Sequence, residues 1–324
     1  MPPFELKLKP TDRCPCGSGK RLKDCCLPTN FRPEACQTRP KSPQTGMSYP
    51  TCYARSLEDC GGKRTTGEHF ISRNILELLG TLGSDPNAPF YGMIKPHGLP
   101  WTPEGEEKYI APSSLESKVL CERHNSGLSC LDSFAKRFFL SLVSAYDDLA
   151  APGGKHAYRV FLFNGHDLER LMLKMLSGFV ASKNASTKTE RIVDWVPPEP
   201  WMRILYGLEE FPHGWGLYLK KQIGLSYASK REIRIAPVSR KAPGSEKHVV
   251  YGIIVGFHGL EFLLAMESPA PGPDGTMGDL VQETTYRPLG FVLKRDQLER
   301  SFIFGWDVPG DGGVVTMEVG EPGV

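Results

Sequence analysis

Nine cysteines crowd into the first part of a 324-residue chain: eight precede Leu128 and none follows Cys130. A disulfide scaffold distributes its cysteines through the fold and is exported behind a secretion signal. The opening MPPFELKLKPTDR lacks the apolar core of a signal peptide. No run reaches the roughly 18–20 apolar residues that a membrane span needs. The pattern therefore predicts reduced, metal-bound thiols in a cytoplasmic protein with no membrane partner.

The cysteines fall into groups. Cys14, Cys16, Cys25 and Cys26 lie in CPCGSGKRLKDCC. Four thiolates this close repel one another unless a cation sits among them, and Gly17 and Gly19 let the backbone turn tightly around it. Cys121 and His124 are separated by two residues, the spacing of half a zinc knuckle, and Cys52 with Cys60 supplies the other half. Two structural Zn2+ sites are expected. Between the halves of the second site stands the acid–imidazole pair Glu68–His69. Asn125 directly follows the ligand His124, and Asp132 comes about two helical turns later. Cys36 reads as a free thiol, and Cys130 as a small buried residue within a helix.

Taken in order, the chain divides into a zinc module over residues 1–30, a Pro/Thr/Ser-rich linker over 31–50 and a metal-bearing domain over 51–150. A Pro- and Gly-rich insertion occupies about 83–112 of that domain. Its Trp101 and Tyr109 read as loop anchors packed on the core. The expected elements are a short strand carrying Glu68 and His69, a short helix from about Ile75 to Gly80, and a helix on the stripe Leu128, Leu131, Phe134, Phe138 and Leu142. Asp132 lies off that stripe. Pro152-Gly153-Gly154 marks a boundary before an α+β accessory domain over 155–324. There HDLERLMLKMLSGFVASK reads as an amphipathic helix, and several alternating segments read as an antiparallel sheet. The fold class expected is α+β. The accessory half has no phosphate-loop glycines, no serine-nucleophile elbow and no clustered acids, and its scattered histidines read as structural.

The first zinc group, with Gly17, Gly19 and Lys20, resembles the SEC-C motif. That resemblance implies an accessory module that docks a protein partner and holds no active site. GEHFISRNIL followed by VLCERHNSGLSCLD resembles the HNH nuclease family, with its ββα-metal core. This second resemblance implies a metal-dependent endonuclease hydrolysing phosphodiester bonds in DNA. His69 would be the general base. Glu68, Asn125 and Asp132 would hold a catalytic Mg2+ or Mn2+. The last position of the family triad is not filled by His or Asn, and Asp132 is the nearby substitute.

The chemistry is consistent with these residue types. A neutral imidazole can activate water near neutral pH. A hard cation with oxygen ligands can stabilise charge on a phosphate. The net charge of +2 identifies no partner. Arg64, Arg73, Lys136 and Arg137 lie near the motif, however, and are the expected phosphate contacts. The alternative is a non-catalytic zinc protein that uses the same finger to bind nucleic acid or a protein.

Overall fold

The computed structural model describes the chain apart from residues 1–7, 82–85, 88, 98–107, 152–157, 184, 186–191, 193–194, 221–231, 243, 245–246, 258, 270–279, 309 and 320–324. The expected boundary at Pro152-Gly153-Gly154 and the loop residue Trp101 lie outside the described residues. In chain order the strands are β1 (Thr65–His69), β2 (Lys95–His97), β3 (Glu116–Cys121), β4 (Tyr158–Asn164), β5 (Gly216–Lys220), β6 (Glu232–Lys241), β7 (His248–Phe257), β8 (Leu260–Ala265), β9 (Thr284–Tyr286), β10 (Gly290–Arg295), β11 (Leu298–Gly305) and β12 (Val314–Glu318). The helices are α1 (Arg73–Thr81), α2 (Glu122–Gly127), α3 (Ser129–Ala150), α4 (Gly165–Ala181) and α5 (Glu199–Leu205).

Strands β1 and β3 form an antiparallel pair that runs directly into α2 and α3. The register slips between Thr66 and Glu68, so two residues of β3 face the single residue Gly67. This bulge re-aims the end of β1. The expected stripe of α3 is buried: Leu128, Leu131, Phe134, Phe138 and Leu142 all face the core.

The second half holds a four-stranded sheet in the order β12-β10-β11-β4 and a six-stranded sheet in the order β2-β6-β7-β8-β5-β9. The larger sheet is antiparallel except where β2 joins β6. The smaller one is mixed, with β11–β4 and β10–β12 parallel. Parallel pairing needs a long connection between the strands. The stretch from β4 to β11 provides one, which alternation within single strands could not reveal.

Helix α4 departs from the expected amphipathic pattern: every residue from Gly165 to Val180 is buried. A helix buried on all sides lies at a centre, and its polar groups must find partners there. Asn164 caps it by accepting from Asp167 N–H at 3.1 Å. The Asp167 carboxylate receives the Cys36 N–H at 3.0 Å. Glu169 receives the Leu217 N–H at 3.0 Å and pairs with Arg287 at 2.8 Å. His166 Nδ1 lies 3.1 Å from Glu169, and His166 Nε2 accepts from the Asp307 N–H at 3.1 Å, so the proton belongs on Nδ1. One core of buried residues extends from Cys52 through α3 and α4 to Val319, spanning the expected boundary.

Residues 31–50 are linker-like in composition but bound in place. Asn164 Nδ2 donates to Pro33 O, Arg39 to Gly207 O and Gln44 to Leu57 O. The segment is a strap laid from the cap of α4 to the second cysteine group. Its Cys36 side chain meets that of Cys130. Cys130 is half-buried rather than sealed in the core, because its helix begins at the surface beneath the strap.

Candidate metal centres and the acid–histidine site

Sulfur and nitrogen atoms converge twice. Cys14, Cys16, Cys25 and Cys26 form one cluster, and Cys52, Cys60, Cys121 and His124 form the other, with ligand atoms all within 4.8 Å of one another in each. In the first, Cys16–Cys25 and Cys25–Cys26 Sγ distances are 3.6 and 3.8 Å. In the second, His124 Nδ1 lies 3.4 Å from Cys52, 3.9 Å from Cys60 and 3.3 Å from Cys121. A tetrahedral zinc with ordinary bond lengths demands edges of about 3.8 Å between sulfurs and about 3.6 Å from sulfur to nitrogen. Both sets of residues fit Zn2+.

Local geometry explains the convergence. In the first cluster Cys14 N–H donates to Lys20 O, closing a turn that Gly17 and Gly19 make at φ +79° and +77°. In the second, a single 3-10 turn over Arg55–Leu57 separates Cys52 from Cys60, and Glu58 ends it in the left-handed region. Cys121 is the last residue of β3 and the N-cap of α2, so His124 points back at it from the first turn of that helix. Hydrogen bonding from Cys26 holds the Cys16 thiol down at about 4, and Cys52 likewise holds Cys121 at about 3. Their partners Cys26 and Cys52 are pushed up by the same contacts. Each cluster thus favours one thiolate, and a divalent cation displaces the remaining protons.

The zinc ligand set reaches the acid–histidine strand through Asn125. Its Nδ2 donates to Thr66 Oγ1 at 3.0 Å and to Gly67 O at 3.3 Å, gripping the bulge of β1. His69 ends that strand, with 12% of its side chain exposed and Nε2 3.9 Å from Glu116. Burial pulls the His69 pKa below its ordinary 6.5, and Arg73 adds to this while Glu116 opposes it. The imidazole is therefore neutral at neutral pH.

Glu68 and Asp132, the expected carboxylate ligands, do meet. What stands between them is the ammonium of Lys174, 2.9 Å from Glu68 and 2.7 Å from Asp132. Lys174 and Glu68 are 1% and 4% exposed. Helix α4 comes close enough because residue 178 is glycine: a Cβ there would lie 2.8 Å from that of Phe70. Lys174 is one turn earlier on the same face. Burial pulls its pKa down, but Glu68 and Asp132 more than offset this, and the ammonium stays charged. Burial pushes Glu68 up, with Lys174 working against it. A divalent ion does not fit between these carboxylates while the lysine is there.

The expected phosphate contacts are dispersed. Arg73 pairs with Glu77 at 2.7 Å on α1. Arg137 stacks over Phe134 and Phe163 and presses against Gly17, which seats the N-terminal cluster. Lys136 lines a shallow depression on α3 with Arg137. Arg64, at the other end of β1 from His69, lines a broad groove.

Residues 11–28 match the family model of the SEC-C motif. The match contains all four ligands of the first cluster and no part of the second. The SEC-C module packs its buried face on Val160 and Leu162 of β4. No curated protein and no solved structure matches the chain. Among the described residues, no helix is long and apolar enough to cross a membrane.

The residue missed from the sequence is Lys174. Its signal was present in LMLKML: a lysine flanked on both sides by apolar residues in a helix is rarely buried without carboxylate partners.

Proposed function

We propose that this chain is a zinc-stapled nucleic-acid-binding protein built on an HNH-like ββα frame. In this frame the cation between Glu68 and Asp132 is the protein's own Lys174. The HNH-like reading draws on the order of parts. An acid–His strand pairs with a second strand, which ends in a candidate zinc ligand and turns into two successive helices, α2 carrying Asn125 and α3 carrying Asp132. Binding is favoured over metal-dependent cleavage by one observation, the ammonium 2.9 and 2.7 Å from the two carboxylates.

In this reading each residue has a mechanical task. The second zinc fixes His124, and Asn125 beside it holds the bulge of β1. Lys174 offsets one of the two carboxylate charges of Glu68 and Asp132, so the ββα face presents less negative charge to a phosphate backbone. The SEC-C module, clamped on β4 with Lys20, Arg21 and Lys23 exposed, is an accessory surface for a protein partner.

Endonuclease activity is the second reading, and a separate observation favours it. His69 is neutral, only part-buried and adjacent to the expected metal position. A bound divalent ion would supply charge stabilisation at a scissile phosphate; His69 would hold the proton taken from water. One experiment separates the readings. The zinc-loaded protein is mixed with supercoiled plasmid and labelled duplex, with Mg2+, with Mn2+ and with chelator. Binding without nicking supports the first reading. Nicking that requires added metal and disappears in His69→Ala supports the second and removes the first. Absence of binding to duplex and single strand alike removes both.

A further inference from the structure

A groove of about 1000 Å³ opens beside the second zinc cluster. Three separate segments build it: the strap, the turn after Cys60, and the junction of α2 with α3. Its lining holds five cations, Arg39, Lys41, Lys63, Arg64 and Arg123, against the single carboxylate of Glu122. These cations are not equivalent. Arg123 is committed to Asp59 at 2.8 Å and to Ser42. Arg39 is committed to the carbonyl of Gly207. Lys41, Lys63 and Arg64 are exposed, and among the described residues none of them has an acidic partner.

We infer that this groove binds the phosphate backbone of a nucleic acid, with Lys41, Lys63 and Arg64 as its contacts. Unpaired like charges on converging segments repel one another, a cost that a polyanion relieves by releasing its counterions. Three further features match a chain of phosphates better than one small anion. The cations come from the strap and from the zinc turn, so they are spread along the groove. The polar residues Ser126 and Ser129 line the same wall. Arg123 pins the strap to the zinc turn through Ser42 and Asp59, so the cations are held in register before any ligand arrives.

The groove also lies in line with the acid–histidine strand. Arg64 immediately precedes β1 and His69 ends it, a separation on the order of 16 Å. A backbone seated in the groove is thereby led toward the ββα face. This places the contacts away from Arg73, Lys136 and Arg137, which have other partners or lie on another surface.

The inference rests on the nucleic-acid reading, and the test separates the two. Anisotropy of a labelled DNA duplex is followed from 50 to 200 mM KCl with the zinc-loaded full chain. Removing three phosphate contacts reduces the salt slope by about 2.7, taking roughly 0.9 per contact on duplex DNA. The variant Lys41→Ala/Lys63→Ala/Arg64→Ala is expected to show that change. It should also lose about tenfold or more in affinity at the lowest salt, a loss that narrows as salt rises. All three residues are exposed, and zinc content confirms the fold. Lys136→Ala, exposed in the separate depression on α3, should leave the slope unchanged. Wild-type binding with an unaltered slope in the triple variant overturns the groove and spares the nucleic-acid reading. Displacement of the duplex by stoichiometric inorganic phosphate at matched ionic strength makes the groove a single-anion site and overturns the inference. If wild type binds no nucleic acid, both fall.

Discussion

Replacing Lys174 with methionine keeps the length of the side chain and removes its charge, leaving Glu68 buried beside Asp132 with no cation. Breaking a buried ion pair by deleting one partner costs about 3–5 kcal/mol, because the remaining charge is stranded. Against a total stability of about 5–15 kcal/mol, that is a large fraction. The loss depends on pH in a definite direction. Lys174 is what restrains the upward shift of Glu68. Without it, burial and Asp132 drive the folded pKa of Glu68 further above 4.5. A carboxyl with a raised folded pKa takes up a proton that the unfolded chain does not, so stability increases as pH falls through that value. Urea midpoints of Lys174→Met should therefore sit far below wild type at pH 8 and recover as pH falls. Glu68→Gln/Lys174→Met, which removes both charges, should recover most of the loss at pH 8. The same cavity would then offer two carboxylates to a hard cation, and Mn2+ should stabilise the single variant and broaden its electron paramagnetic resonance signal. A Lys174→Met protein as stable as wild type at pH 8, with no response to Mn2+, would refute the claim that the lysine stands in for a metal.

Further outcomes follow from the other sites. Mass spectrometry of the purified protein should find about two zinc equivalents for the two clusters. Cys121→Ser should lose one and destabilise the β1–β3 pair, and Cys14→Ser should lose the other while leaving Asn125 in place. Nuclear magnetic resonance titration of His69 should give a midpoint below 6.5, lowered further by Glu116→Gln, since Glu116 is what pulls the pKa back up. The linked stability is full above pH 6.5 and is lost as pH falls through that value toward the folded pKa. A midpoint at or above 6.5 would contradict the assignment of a part-buried neutral base. Cys130, whose thiol is held below its ordinary value mainly by Cys36 and which is part-exposed, should alkylate ahead of the zinc ligands. Equal labelling of all nine cysteines would show the clusters to be metal-free.

The parts legible in the sequence were those set by short-range spacing. Two residues between Cys121 and His124, and one between Cys14 and Cys16, fix which atoms can share an ion. The pairing of Cys52 and Cys60 with Cys121 and His124 followed from chemistry, since buried thiols at such spacings need a common cation. The α3 stripe was equally readable, because a period of 3.6 is local. The occupant of the Glu68–Asp132 site was not. Lys174 lies more than a hundred residues from Glu68 in sequence, and its approach depends on the absence of a side chain at Gly178. The groove was hidden for the same reason. Arg64 was singled out, but its companion Lys41 lies in a strap whose composition resembles a free linker and whose hydrogen bonds are long-range. Helix α4 misled in a different way: charged residues in an apolar helix read as an outer face, whereas here each one is satisfied inside.

On the proposed HNH-like reading, one question is why lysine stands between the carboxylates of Glu68 and Asp132. A divalent ion bound there would be exchangeable, and its loss would leave Glu68 unpaired at 4% exposure. Lys174 cannot leave without moving α4, which anchors the strap through Asp167 and the larger sheet through Glu169. The lysine therefore couples β1 and α3 to the central helix, and the second Cys/His cluster, with Arg123 and Asp59, couples the same region to the strap. The second connection ends on the wall of the basic groove, through Arg123 and Ser42. A frame held this way has little freedom to reorganise around a reacting phosphate, but it presents a fixed row of cations. That rigidity suits recognition, and it predicts that any nuclease activity will emerge only in variants that release Lys174.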